Sequence, residues 1–281
     1  MLAVMTLYGR NVLFRIEIAI SALFIIVAGI LAFTALPVCP AVTEESVRRS
    51  PGIIQSLIAR FLDPSPYVPF ASLAGGGLYS LVTLVLIYYS FEKTRAPEIL
   101  FITMFVLSFS FETMRLLTPL QKTWAIPSVY LLIASRTLLF GRFFGIFALF
   151  AAGVYAAGLE VQKQVNVILV VVFIALIVSL GVPIDILTWD SSFSMINGYL
   201  SLFRMTETVV FIITAMSFFI SAWSRGTPEY VAIGAGSFLA YAGRNILLSG
   251  DTWISPLPGV LLLAAGTWLI CTKLHKVYLW L

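Results

Sequence analysis

The chain has 281 residues, of which 60% are hydrophobic and 11% charged, with a formal net charge of +4. A soluble domain carries about 25% charged residues, so this composition excludes a polar outer surface and predicts an all-α, polytopic membrane bundle. The basic residues form no stripe or cluster, which excludes a nucleic-acid footprint and leaves their distribution as a topology signal.

Arg10 and Arg15 precede an apolar run from Ile16 to Leu36 in which Glu17 is the single charge. A signal-peptide core spans about 7–15 residues, so this longer run is expected to be retained as a first span over 12–36, with Glu17 pairing with Arg15 at the interface. Residues 37–69 form a long loop in which Ile53, Ile54, Leu57, Ile58, Phe61 and Leu62 recur at helical spacing. That pattern predicts an amphipathic helix over residues 51–63, lying along the membrane surface. Crossing the hydrocarbon takes about 20 apolar residues as helix. Further runs of that kind lie at 70–91, 97–118, 165–183, 198–223, 229–249 and 256–274.

The stretch 124–160 is long enough for one extended helix or for a hairpin turning near Gly141-Arg142. Basic residues collect on the cytoplasmic side of membrane proteins, and this decides between the two. One span gathers Arg10, Arg15, Lys93, Arg95, Lys163, Arg225, Lys273 and Lys276 inside, against Arg48, Arg49, Arg60 and Lys122 outside. Two spans would move Lys163, Arg225, Lys273 and Lys276 outside and erase the bias. A single span over 137–160 is therefore expected. It makes eight helices in a plasma membrane, with both termini cytoplasmic. The second outer loop, 184–197, then carries Asp185 and Asp190 and no basic residue.

Glu112, Arg115, Arg136, Arg142, Arg204, Glu207 and Arg244 fall within or against the apolar runs, and Asn245 follows the last of them. An ionisable group at the bilayer centre costs about 2.5–3.5 kcal/mol on insertion scales, so such groups are generally paired or functional. With eight spans, four helices bring these residues to a similar depth in the outer half. Five arginines face two glutamates there, and arginine does not shed its charge. The surplus predicts a seat for an anion, because the guanidinium fork suits carboxylate and phosphate. The structural reading competes with this one. Glu112/Arg115 and Arg204/Glu207 are i,i+3 neighbours and can pair within one helix, while Arg115 and Arg142 can snorkel to headgroups.

Gly234, Gly236 and Gly243 read as close helix packing. Ala134-Ser135-Arg136-Thr137 and Ala242-Gly243-Arg244-Asn245 echo each other three spans apart. They keep the same depth, where an inverted repeat would exchange it. Cys39 and Cys271 lie near opposite ends of the chain, and His275 is the single histidine. No metal set, mid-span lysine, Walker pattern or nucleophile elbow is present, so no metal or cofactor is expected. These residues predict a receptor-like binding or sensing module. Its partners would be the bilayer, an anionic small molecule or lipid headgroup, and a membrane or cytoplasmic protein carrying the output. The alternative is a secondary transporter of an organic anion. An intramembrane lipid-modifying enzyme has less behind it.

Overall fold

A backbone inside hydrocarbon must satisfy its own N–H and C=O groups, which permits helices and closed barrels only; this chain uses helices. The computed structural model describes residues 6–36, 65, 67–94, 96–121, 124–190, 192–198, 200–250 and 252–279. The amphipathic helix expected over 51–63 lies outside the described residues. Among them, α1 spans Leu7–Ala35, α2 Val68–Phe91, α3 Pro97–Glu112 and α4 Ser128–Ala156. The second half holds α5 at Gln164–Gly181, α6 at Leu200–Arg225, α7 at Glu229–Ser249 and α8 at Pro256–Leu279. All eight are long and apolar enough to cross a membrane, counting the 3-10 turns that extend α3 and precede α5.

Local chemistry sets the boundaries. Thr6 caps α1 by accepting the Gly9 N–H, and α2 and α3 carry proline in the first turn, where a missing N–H is harmless. Gly226, at φ +63°, adopts the left-handed conformation between α6 and α7 that side chains rarely accept. The segment 124–160 holds one helix and no break at Gly141-Arg142. That helix begins at Ser128, nine residues before the expected 137, and stops at Ala156, just before Gly158 at φ +113°. The expected loop at 184–197 is an antiparallel hairpin, with β1 at Ile184–Trp189 and β2 at Met195–Asn197.

Helix α3 is the hub. Buried residues make up 89% of its apolar window, against 17% in α1 and 22% in α5 and α6. It packs on α1, α2 and α4, and α7 and α8 form a close pair. A Cβ on Gly243 would lie 2.6 Å from the Leu263 nitrogen, and one on Gly266 would lie 2.6 Å from the Ala240 nitrogen. These glycines let the two backbones touch, as the packing reading expects. The rim helices turn Ile26, Ile30 and Phe33 of α1 and Leu169, Phe173 and Ile177 of α5 outward, an apolar exterior suited to acyl chains.

Successive helices run antiparallel, so the bundle has two distinct ends. The hairpin end holds the start of α2, the 3-10 extension of α3 and the end of α1. There Leu31, Ala35, Phe70, Leu73, Leu116, Leu120 and Phe193 form a separate small core. The other end holds the beginning of α1 and the end of α8.

Candidate functional site

The centre of the charged region is Glu112, the last residue of α3. Arg142, half-way along α4, donates from Nε to Glu112 Oε1 at 2.9 Å and from Nη2 to Oε2 at 3.4 Å. The chain tightens into a 3-10 turn at Thr113–Leu117, and Arg115 places Nη2 2.5 Å from Glu112 Oε2. One carboxylate thus holds two guanidiniums. Neither arginine reaches for a headgroup. Both turn inward, where a buried cation needs a counter-charge.

Arg115 also ties this trio to the hairpin end. Its Nη1 donates to the Leu248 carbonyl at 3.1 Å, near the end of α7, and to Ser192 Oγ at 3.4 Å. The Ser192 hydroxyl donates to Asp190 Oδ1 at 2.8 Å, and the same oxygen accepts the N–H groups of Ser192 and Ser194 at 3.0 and 2.9 Å. Asp190 holds the hairpin's turn in shape, and the turn is docked through Arg115 onto the helices.

Beside this network lies a cavity of about 700 Å³ between α4, α6, α7 and the hairpin. Its polar lining includes Arg142, Arg204, Arg244, Glu207, Asp190 and Asn245. Phe143 and Phe203, edge to face at 5.5 Å, and Tyr241, stacked on Phe211 at 4.2 Å, make its aromatic walls. Arg244 Nη2 stands 3.6 Å from Glu207 Oε1, so Glu207 pairs across to α7 and not with Arg204 on its own helix. Arg204 is exposed and has no ion pair among the described residues.

Of the eight residues singled out by sequence, five line the cavity: Arg142, Arg204, Glu207, Arg244 and Asn245. Glu112 and Arg115 sit against it, through Arg142. Arg136 stands apart. Its Nη1 donates to the carbonyls of Ser179 and Val182 at the end of α5. A helix C-terminus exposes unpaired carbonyls and the negative end of its dipole, so Arg136 has a local partner and leaves the cluster. The echo between Arg136 and Arg244 therefore has no counterpart in their surroundings.

Asp190 takes its place at the cavity, where the sequence reading had it only as a loop acid. Four arginines (115, 142, 204, 244) now face three carboxylates (Glu112, Glu207, Asp190). The local surplus is one positive charge, smaller than the five-to-two count of the sequence. Among the described residues no three His, Cys, Asp or Glu side chains are grouped to hold a metal ion.

Two buried carboxyls lie elsewhere. Arg15 donates to the Tyr88 hydroxyl from Nε and Nη2 at 3.1 and 3.0 Å. The expected pair with Glu17 is absent, because Glu17 points into the bundle and is only 3% exposed. At the end opposite the hairpin, Glu98 is fully buried and accepts the Tyr278 hydroxyl at 2.6 Å. Arg225 closes the same end, donating to the Tyr230 hydroxyl at 3.0 Å and to the Tyr155 carbonyl at 3.4 Å. Glu98 was missed because an acid right after a helix-starting proline reads as an ordinary first-turn residue. The available signal was the set of tyrosines near that membrane face.

No family model matches the chain. It is similar to a protein of Treponema pallidum (strain Nichols), 21% identical over 344 aligned positions that cover 98% of this chain and 100% of that one. That relative is described as an uncharacterized protein.

Proposed function

We propose that this multi-pass membrane protein is a binding or sensing module whose hairpin-end cavity takes an anionic small molecule or an anionic lipid headgroup. The observation that carries the reading is Arg204, a guanidinium without an ion pair among the described residues, at a cavity where cations outnumber carboxylates. The aromatic walls beside it suit an anion with an apolar part. On this reading the hairpin end faces outward across a plasma membrane and both termini are cytoplasmic, in keeping with the basic residues near the opposite end. Output from the bound state would pass to a partner protein.

A thermal-shift screen of organic acids, phosphates and anionic lipids on the purified protein tests this. A ligand at about 100 times its dissociation constant adds about 2.7 kcal/mol of stability. The shift should fall in Arg204→Gln and Arg244→Gln and persist in Arg136→Gln, which sits away from the cavity. A broad screen without a shift, or a shift equal in all three variants, overturns the reading. Orientation is tested by single cysteines at Ser46 and Ser224, with Cys39 and Cys271 replaced. An impermeant reagent on intact cells should label the first and miss the second.

A second reading, secondary transport of an organic anion, draws on Glu98. It puts a buried carboxyl at the end of the bundle opposite the cavity. Ligand-dependent flux into sealed vesicles separates the two, since a sensor binds without moving its ligand.

A further inference from the structure

Glu17 is a buried carboxyl that lies outside the cavity. It lies ten residues into the 29-residue α1, and both carboxyl oxygens are buried without a hydrogen-bond partner. The elements packed on α1 are α2, α3 and the 3-10 extension of α3. Their charged and titratable groups are engaged elsewhere or lie apart. On α1 itself, Arg10 donates to the carbonyls of Phe91, Glu92 and Thr94, and Arg15 donates to Tyr88. On α2, Tyr88 receives Arg15, Tyr89 is exposed, and the buried Tyr79 packs its ring on Phe109. On α3, Glu98 holds Tyr278 and Glu112 holds Arg115 and Arg142. None forms an ion pair or hydrogen bond with Glu17.

The polar group facing Glu17 from α3 is Thr103. Its hydroxyl already donates to the Leu100 carbonyl at 2.7 Å. Thr103 is neutral and brings no counter-charge to Glu17. One turn further along α1, Ser21 meets Ser110 at 2.8 Å and Ser80 at 3.3 Å, and Ser80 donates to the Val106 carbonyl at 2.9 Å. These hydroxyls extend the same buried seam between α1, α2 and α3. They supply no cation. An ionised carboxylate there would be a desolvated charge without a counter-ion, which protein interiors avoid by neutralising the group.

We propose that Glu17 is a proton-binding site inside the bundle. Its carboxylate takes one proton to become a neutral acid. The site stands apart from the cavity and from whatever the cavity binds.

Infrared spectroscopy of the purified full-length protein at neutral pH, in H2O and in D2O, tests it. The wild type should show a carboxylic-acid C=O band that moves to lower frequency in D2O. Subtracting the Glu17→Gln spectrum should reveal that band as lost, and Glu112→Gln should retain it. Should Glu17→Gln fail to fold, Glu17→Asp keeps the carboxyl and should displace the band. Loss of carboxylate bands only in Glu17→Gln, or an acid band unmoved in Glu17→Asp, overturns the proposal.

Discussion

The two ends of the bundle handle buried charge in opposite ways. At the termini end, Glu98, Tyr230 and Tyr155 are 0–1% exposed, the tyrosines pack around one buried carboxyl, and the exposed Arg225 caps them. At the hairpin end, Glu112 and Arg115 are equally buried, but the network opens onto a cavity whose outer members, Arg204 and Asn245, are exposed. At the termini end Tyr278 donates to one Glu98 oxygen, and the close packing of large rings fixes the structure. A surplus guanidinium on a cavity wall leaves room for a guest. The comparison places the locking role at one end and the candidate binding role at the other.

The sharpest way to break this comparison is Glu112→Gln. It leaves two guanidiniums without their carboxylate, and breaking a buried pair in this way costs about 3–5 kcal/mol. Denaturant or thermal unfolding in detergent should show a loss of that size. A loss below about 1 kcal/mol would mean that the trio is wet and that its burial is not realised.

At the opposite end, Tyr278→Phe removes the hydroxyl that Glu98 accepts. Leaving a buried acceptor unsatisfied costs about 1–3 kcal/mol, and unfolding should report it. Anion binding at the hairpin end should be unchanged. A variant that loses both would join the two ends into one functional unit and dissolve the contrast.

The Glu207–Arg244 pair should matter less. Its 3.6 Å separation and the 20% exposure of the Glu207 side chain place it between a buried and a surface pair. A double-mutant cycle with Glu207→Gln and Arg244→Met should give a coupling of about 0.5–1 kcal/mol. Strict additivity would detach α7 from the charged network.

The smallest effect on stability is expected for Arg204→Gln, within about 0.5 kcal/mol, as for most exposed substitutions. Here the informative reading is ligand binding. If the cavity is an anion seat, this variant should lose the ligand-induced thermal shift while keeping its own melting point. Undiminished binding in Arg204→Gln would move the seat to the paired arginines.

Apolar run length made the eight helices readable, and the small residues of α7 announced its tight contact with α8. Seven of the eight candidate residues converge, because a costly intramembrane charge stands out in a sequence that is 60% hydrophobic. Partner choice was less readable. The i,i+3 spacing allowed Arg115 for Glu112, which forms, and Arg204 for Glu207, which gives way to Arg244 on α7, since helical neighbours compete with residues brought in by other helices. Arg136 looked like the other arginines, yet the end of α5 supplies its acceptors.

The sequence by itself determined the class of the molecule. Composition rules out a soluble surface, backbone hydrogen bonding in lipid demands helices, and each span's length follows from the thickness of hydrocarbon it must cross. Tertiary structure alone decided which charges meet. A helix carries its side chains all round, and the face that turns inward depends on packing against chains distant in sequence. That is why Asp190 reaches the cavity through a hairpin, why Glu98 meets a tyrosine 180 residues away, and why Glu17 turns from Arg15 into the interior.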